Sequence, residues 1–347
     1  MKRIIGIVCA TVAAICALIF AATYQIAKSK MVFYRGQPLQ AVDSYDYRTL
    51  YLDSDGDVYI SGKEGAVGIQ GFWERFAYNR ADAPVRIFDR SAREVVAVEN
   101  GGLIVDENGD LFYFRDTEPK KVSENCLHAV GERYDPSAGA EIVFINTDQQ
   151  LCRLEKGSDT PVVWMDNILA ADCGSVELIG VLTTDNKLCH WPLGTKEFNL
   201  SNAILIAENV DSFFVTDSVD ATTHAHTFVY TDKDGNAWLW QEGDAPVLLA
   251  EKVDNAAYSS LDKTSIVLQK DGTLVAIKDK ETIRLAQNII DFSVTPSFIC
   301  ALQDGKTLLF WRYNEYSAFA NDYSADSVLS YDDAPYRWSV PTSNRRS

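Results

Sequence analysis

Positive charge is scarce in this chain: 32 Lys and Arg stand against 49 Asp and Glu, a net charge of −17. DNA and RNA binding rests on basic side chains neutralising phosphates, so the balance argues against a nucleic-acid partner. Histidine is scarcer still, at four residues, whereas transition-metal sites usually draw on three or four ligands. The chain has no Gly-x-Ser-x-Gly elbow, no Walker phosphate loop, no dinucleotide-binding glycine pattern and no Cys/His pairing at a recognisable spacing. No catalytic, cofactor-binding or metal-binding residue is therefore assigned, and the reading leans away from an enzyme. A disulfide framework is also missing. Of seven cysteines, Cys126, Cys152, Cys173, Cys189 and Cys300 lie beyond the N-terminal apolar run. That odd number leaves at least one thiol unpaired within the chain, and these residues read as small apolar core side chains.

What the sequence does have begins at its N-terminus. After Lys2 and Arg3, residues 4–27 carry no charge, and residues 4–22 are its apolar heart. A stretch of about 20 apolar residues crosses a hydrocarbon core as a helix, whereas a signal-peptide apolar region runs to about 7–15. Cleavage after Ala22 would place Phe20 at −3, and cleavage after Ala27 would place Gln25 there, so neither site suits a signal peptidase. The expectation is a retained anchor at about residues 4–23. Basic residues flank both sides (Lys2 and Arg3; Lys28, Lys30 and Arg35), and the large domain is expected outside, since long domains translocate largely regardless of charge.

The rest of the chain repeats. A hairpin signature, an apolar strand followed by an Asp/Asn/Gly-type turn and a second strand, occurs seven times: residues 50–61, 103–114, 143–154, 180–191, 228–240, 266–277 and 300–311. Glycine and asparagine suit such turns because tight hairpins need positive φ. Upstream, Asn125, Asn167, Asn209, Lys252 and Asn288 each open a short apolar strand, spaced 42, 42, 43 and 36 residues apart. Each period holds about four short strands and almost no helical pattern, which is the composition of a propeller blade. The expected fold is all-β: a seven-bladed β-propeller of four-stranded blades, preceded by one transmembrane helix. The final copy ends near Trp311 without a fourth strand, and residues 31–37 are expected to pair with it and close the ring. The domains are then residues 1–30 (short cytoplasmic start, anchor and linker), 31–312 (propeller) and 313–347, a polar aromatic tail read as a loose or surface-docked extension.

These repeats resemble the regulator-of-chromosome-condensation repeat family. In the first copy, DSDGDVYISGKEGAVG (residues 53–68) is similar to the family's turn, strand and Gly-rich exit, and Pro84, Val85 and Ile87 sit where its next strand starts. Gly131 and Gly174 match the family's small turn, and Trp191, Trp240 and Trp311 its aromatic strand end. The resemblance spans about residues 38–312 and implies the propeller fold. The acidic balance and apolar N-terminus argue against carrying over nucleotide-exchange or chromatin functions.

Among local constellations, Asp53-x-Asp55-Gly-Asp57 and Asp232-x-Asp234-Gly-Asn236 resemble the start of a calcium loop but lack its distant bidentate Glu, so they read as turns. His224-x-His226 would place two imidazoles on one strand face, short of a metal site. The long exit of the first repeat, residues 62–91, carries Phe72, Trp73, Phe76 and Tyr78. This aromatic loop is the candidate partner-binding surface, with packing against the core as its alternative. The expected function is a protein-interaction platform held at the membrane through the N-terminal helix. The alternative is a glycan-binding or glycan-cleaving ectodomain that gathers carboxylates in the central channel.

Overall fold

Six of the seven repeats start with a residue in a left-handed backbone conformation; blade 1 starts from Pro38. In the computed structural model Ser91, Asn125, Asn167, Asn209, Lys252 and Asn288 have φ of +52°, +56°, +62°, +59°, +58° and +58°. Asparagine tolerates this region better than most residues, which explains why it recurs at this position. The structure describes residues 2–29, 31–32, 37–45, 48–62, 84–98, 101–115, 118–135, 139–155, 157–158, 160–173, 178–192, 195, 197–215, 226–259, 263–278, 280–295, 298–312 and 336–339, with side chains of the first helix from Ile15 onward.

From these starts the chain forms seven antiparallel sheets, each of four strands taken in sequence order. Blade 1 comprises β1 (Leu39–Tyr45), β2 (Arg48–Asp53), β3 (Val58–Gly62) and β4 (Val85–Phe88). Blade 2 comprises β5 (Ala92–Val98), β6 (Gly101–Asp106), β7 (Leu111–Phe114) and β8 (Lys120–Ser123). Blade 3 holds β9 (Cys126–Asp135), β10 (Gly139–Asn146), β11 (Leu151–Glu155) and β12 (Val162–Met165); blade 4 holds β13 (Ile168–Cys173), β14 (Leu178–Thr183), β15 (Leu188–His190) and β16 (Ile204–Ala207). Blade 5 is β17 (Val210–Val215), β18 (Thr227–Asp232), β19 (Ala237–Gln241) and β20 (Val247–Ala250). Blade 6 is β21 (Val253–Ser259), β22 (Thr264–Gln269), β23 (Leu274–Lys278) and β24 (Glu281–Ala286). Blade 7 is β25 (Ile289–Val294), β26 (Phe298–Gln303), β27 (Thr307–Arg312) and β28 (Tyr336–Ser339). First strands of successive blades lie side by side around the ring, and the hydrophobic clusters fill the spaces between adjacent sheets.

The seven hairpin turns join the blades. The carbonyls of Gly56, Gly109, Gln149, Asn186, Gly235 and Gly272 accept the N–H that opens the next blade, from Ala92, Cys126, Ile168, Val210, Val253 and Ile289. The ring closes by the same bond, Leu39 N–H to Gly305 O at 2.8 Å. Turn shape makes this possible, because all seven acceptors have positive φ. The tip is braced from within: the Asp53, Asp106, Asn146 and Asp232 side chains each accept two main-chain N–H groups of their own turn through Oδ1.

Gly56 tests this geometry. It has φ +79°, and a Cβ there would lie 2.6 Å from Ser91 Cα, whereas Gly157 has φ +84° and open space around it. Gly157→Ala is expected to cost only the backbone penalty, about 1–2 kcal/mol. Gly56→Ala should cost more, because the opening of blade 2 must also move. Equilibrium urea unfolding of the two variants gives the comparison.

One expectation is corrected and a second is narrowed. Residues 31–37 do not complete blade 7; β28 does, pairing with β27 from within the segment read as a loose or surface-docked extension. Val32 instead lies along blade 1, where its carbonyl accepts the Arg86 N–H at 2.7 Å. The N-terminal helix α1 (Lys2–Ser29) is present. Among the described residues, however, no helix is long and apolar enough to cross a membrane. The structure thus shows the expected N-terminal helix, with no membrane span among the described residues.

Candidate functional site

The aromatic candidates Phe72, Trp73, Phe76 and Tyr78 lie outside the described residues, as does His224. The two ends of their loop are placed: it leaves from Gly62 at the end of β3 and returns to β4 at Val85, on the outer half of blade 1.

Carboxylates do gather at the centre of the ring, where they are used as bridges. Asp291 on β25 accepts the Val42 N–H of β1 at 2.8 Å, and Asp43 on β1 accepts the Ala97 N–H of β5 at 2.8 Å. Glu94 on β5 accepts the Ala129 N–H of β9 at 3.0 Å, and Asp172 on β13 accepts the Val215 N–H of β17 at 3.3 Å. Among the described residues, four of the seven junctions are thus tied by an inner-strand carboxylate to the next inner strand. Asp43 is the most engaged, since it also accepts from Ser44 N–H and Ser293 Oγ. Burial nonetheless dominates: it pushes the Asp43 carboxyl up to about 6 against the lowering effect of its hydrogen bonds. It pushes Asp291 up to about 7, with the charges of Asp43 and Asp254 adding to the rise. A hydrolytic pair needs one carboxyl free to protonate a leaving group and one facing water or substrate. Asp43 and Asp291 are instead occupied by the protein's own main chain.

The remaining chemistry-bearing residues lie in turns or in the interior. Asp53 and Asp232 use Oδ1 on their own turns, and Asp232 Oδ2 accepts from Asn236 Nδ2 and Trp238 Nε1, both at 2.9 Å. These runs are hairpin turns, as read from the sequence. His226 is buried between blades 4 and 5 near His190, which packs edge-on against Trp240 at 4.9 Å and Phe228 at 5.6 Å. Burial, and secondarily the proximity of His226, pulls the His190 imidazole down to about 4; burial also lowers His226. Cys126, Cys152 and Cys300 are buried free thiols. Burial pushes Cys126 up to about 12 and Cys152 to about 11, the opposite of what a nucleophilic thiolate requires.

Exposed apolar side chains gather at the outer rim. The first two residues of the outer strands of blades 3, 4 and 5 are apolar and half-exposed: Val162 and Val163 (48% and 49%), Ile204 and Leu205 (40% and 50%), Val247 and Leu248 (57% and 46%). The runs PVVW and PVLL are legible as strands in the sequence, but their exposure is not. An outermost strand and an inner strand both read as short apolar segments.

No protein-family model matches the chain, and no curated protein matches it. Solved structures do resemble it. Prp20p of Saccharomyces cerevisiae is 13% identical, over 80% of this chain and 83% of that one, with a TM-score of 0.56. PorZ, a bacterial surface component of the type-IX secretion system of Porphyromonas gingivalis, is 10% identical over 81% of this chain and 38% of that one, with a TM-score of 0.54. Sqt1 of Saccharomyces cerevisiae is 10% identical over 81% and 84%, with a TM-score of 0.52. Yeast RCC1 (Prp20) also appears bound to Kap60, at 14% identity and a TM-score of 0.55. The resemblance to the regulator-of-chromosome-condensation propellers therefore holds at the level of the fold.

Proposed function

We propose that this chain is a non-enzymatic, membrane-anchored propeller that presents a protein-binding surface on the extracytoplasmic side. The observation that carries the reading is the contrast between an inner ring whose carboxylates are consumed in inter-blade bridges and an outer rim with exposed apolar pairs. Clustered exposed apolar side chains on a rigid scaffold mark interaction surfaces. Similar propellers are consistent with that use: Prp20p has been studied for its binding to Gsp1p and histones, and yeast RCC1 (Prp20) has been seen with Kap60. Support for the anchor comes from the uncharged run of residues 4–27 within α1, and for the outward orientation from the tolerance of long domains for translocation.

Full-length protein taken from membranes should retain Met1, and a Ser347→Cys variant should label with an impermeant maleimide from outside. A mature chain starting beyond residue 27, or labelling from the cytoplasmic side alone, would remove the anchor or its orientation. Cross-linking in the native membrane followed by affinity capture should return one recurrent protein near stoichiometric yield. Co-purification of envelope glycan with no protein would transfer the assignment to the glycan-binding alternative.

A further inference from the structure

Edge strands leave a row of main-chain N–H and C=O groups without sheet partners, and proteins commonly blunt them with charged side chains. The seven outer strands of this ring divide sharply in that respect. Pairing register makes Arg86, Lys121, Val163, Leu205, Leu248, Arg284 and Arg337 equivalent, because their partners on the third strands, Tyr59, Phe112, Cys152, Cys189, Trp238, Val275 and Leu309, stand at matching positions after the hairpin turns. Four of the seven blades thus carry a basic residue there. The exceptions, Val163, Leu205 and Leu248, belong to the three consecutive blades 3, 4 and 5.

The molecule also shows what a covered edge looks like. At blade 1 the chain's own Val32 offers its carbonyl as an acceptor to Arg86 N–H, and the first outer-strand residue, Val85, is only 9% exposed. Its equivalents Val162, Ile204 and Val247 are 48%, 40% and 57% exposed. Each of these three strands is followed at once by an exposed acid: Asp166 after Met165, Glu208 after Ala207 and Glu251 after Ala250. The same local charge, on a chain of net charge −17, disfavours pairing with a second copy and favours a basic partner.

Resting on the protein-interaction reading above, we propose that the outer edges of blades 3, 4 and 5 bind an extended protein segment with alternating apolar residues and a basic end. The segment adds as a fifth strand, its apolar side chains covering the exposed pairs and its Lys or Arg meeting the acid that ends each strand.

The test uses full-length protein in detergent and two synthetic peptides, each an alternating valine–threonine heptamer, one ending in two lysines and the other in two glutamates. The lysine peptide should slow amide exchange in β16 and β20, and the glutamate peptide should not. Leu205→Arg with Leu248→Arg installs the residue type that the other four blades carry and alters exposed positions only. It should weaken lysine-peptide binding by about tenfold or more. Should that variant not fold, Glu208→Lys with Glu251→Lys keeps the test alive by reversing the peptide preference. No protection by the lysine peptide, equal protection by both peptides, equal binding to the arginine variant, or sedimentation showing self-association through these strands would each overturn the proposal. If a cross-linked native partner is captured equally by wild type and the arginine variant, the edge proposal falls while the platform reading stands. If the lysine peptide protects these strands but no native protein is captured, the platform reading falls and the strand-binding edge stands.

Discussion

Replacing Phe228 with alanine is expected to lower the unfolding free energy of the full-length chain by about 3–5 kcal/mol, the usual range for truncating a fully buried aromatic. Phe228 lies on β18 with no exposed surface, and its ring contacts Trp240 at 5.6 Å, His190 at 5.6 Å and Phe213 at 6.2 Å. It reaches across a blade boundary: a Cβ built on Gly180 of β14 would come within 2.7 Å of its ring. The cavity would open between two sheets that share no strand, so neither blade can close it by adjusting its own register. A shift in the urea midpoint at an unchanged slope measures the loss; a cost under about 1 kcal/mol would mean that the junction repacks freely.

The second large expected effect is a loss of stability as the solution is taken from mildly acidic to mildly alkaline. Asp291 and Asp43 have folded values of about 7 and 6 against an ordinary 3.8. The folded state therefore holds these protons more tightly than the unfolded chain, and their contribution is full below about 3.8 and lost progressively as pH rises from there to 6 and 7. His190 has the opposite sign: its folded value of about 4 lies below the ordinary 6.5. Its contribution is full above 6.5 and lost as pH falls towards 4. On raising the pH from 6 to 8, the carboxylates alone should cost about 2 kcal/mol, since each tenfold difference in proton affinity between the folded and unfolded chain is worth about 1.4 kcal/mol. Urea midpoints should fall from pH 5 through 6 and 7 to 8, because two carboxylates outweigh one imidazole. Asp291→Asn should flatten the fall, and His190→Phe should steepen it below pH 6.5. A midpoint that rises across this range in the wild type would contradict the sign assigned to the carboxylates.

The parts of the fold that were legible in the sequence are those fixed by local backbone chemistry. The seven turns and the recurring Asn125, Asn167, Asn209 and Asn288 were visible because left-handed φ selects a few residue types. Strand β28 was not visible, since it is separated from β27 by residues 313–335 and no turn signal ties the two together. Partnerships across blades were equally hidden. Asp43 and Ser293 stand 250 positions apart, and His190 and His226 belong to different repeats, so spacing carries no trace of either pair. Exposure of the outer apolar pairs was hidden for a different reason. Valine and leucine fill buried and edge strands alike, and only the register shows that the position they occupy is basic in the other four blades.

The bonds that join the blades have a consequence for descent. Donor and acceptor are main-chain atoms, so Gln149 or Asn186 serves where Gly56 serves elsewhere, and the junction between the last blade and the first is made like the rest. Every blade is also a single stretch of chain running in strand order, with no strand lent to a neighbour. A ring latched by a borrowed strand must preserve both ends of its chain together. This one can gain, lose or diversify a blade by copying or editing one continuous segment.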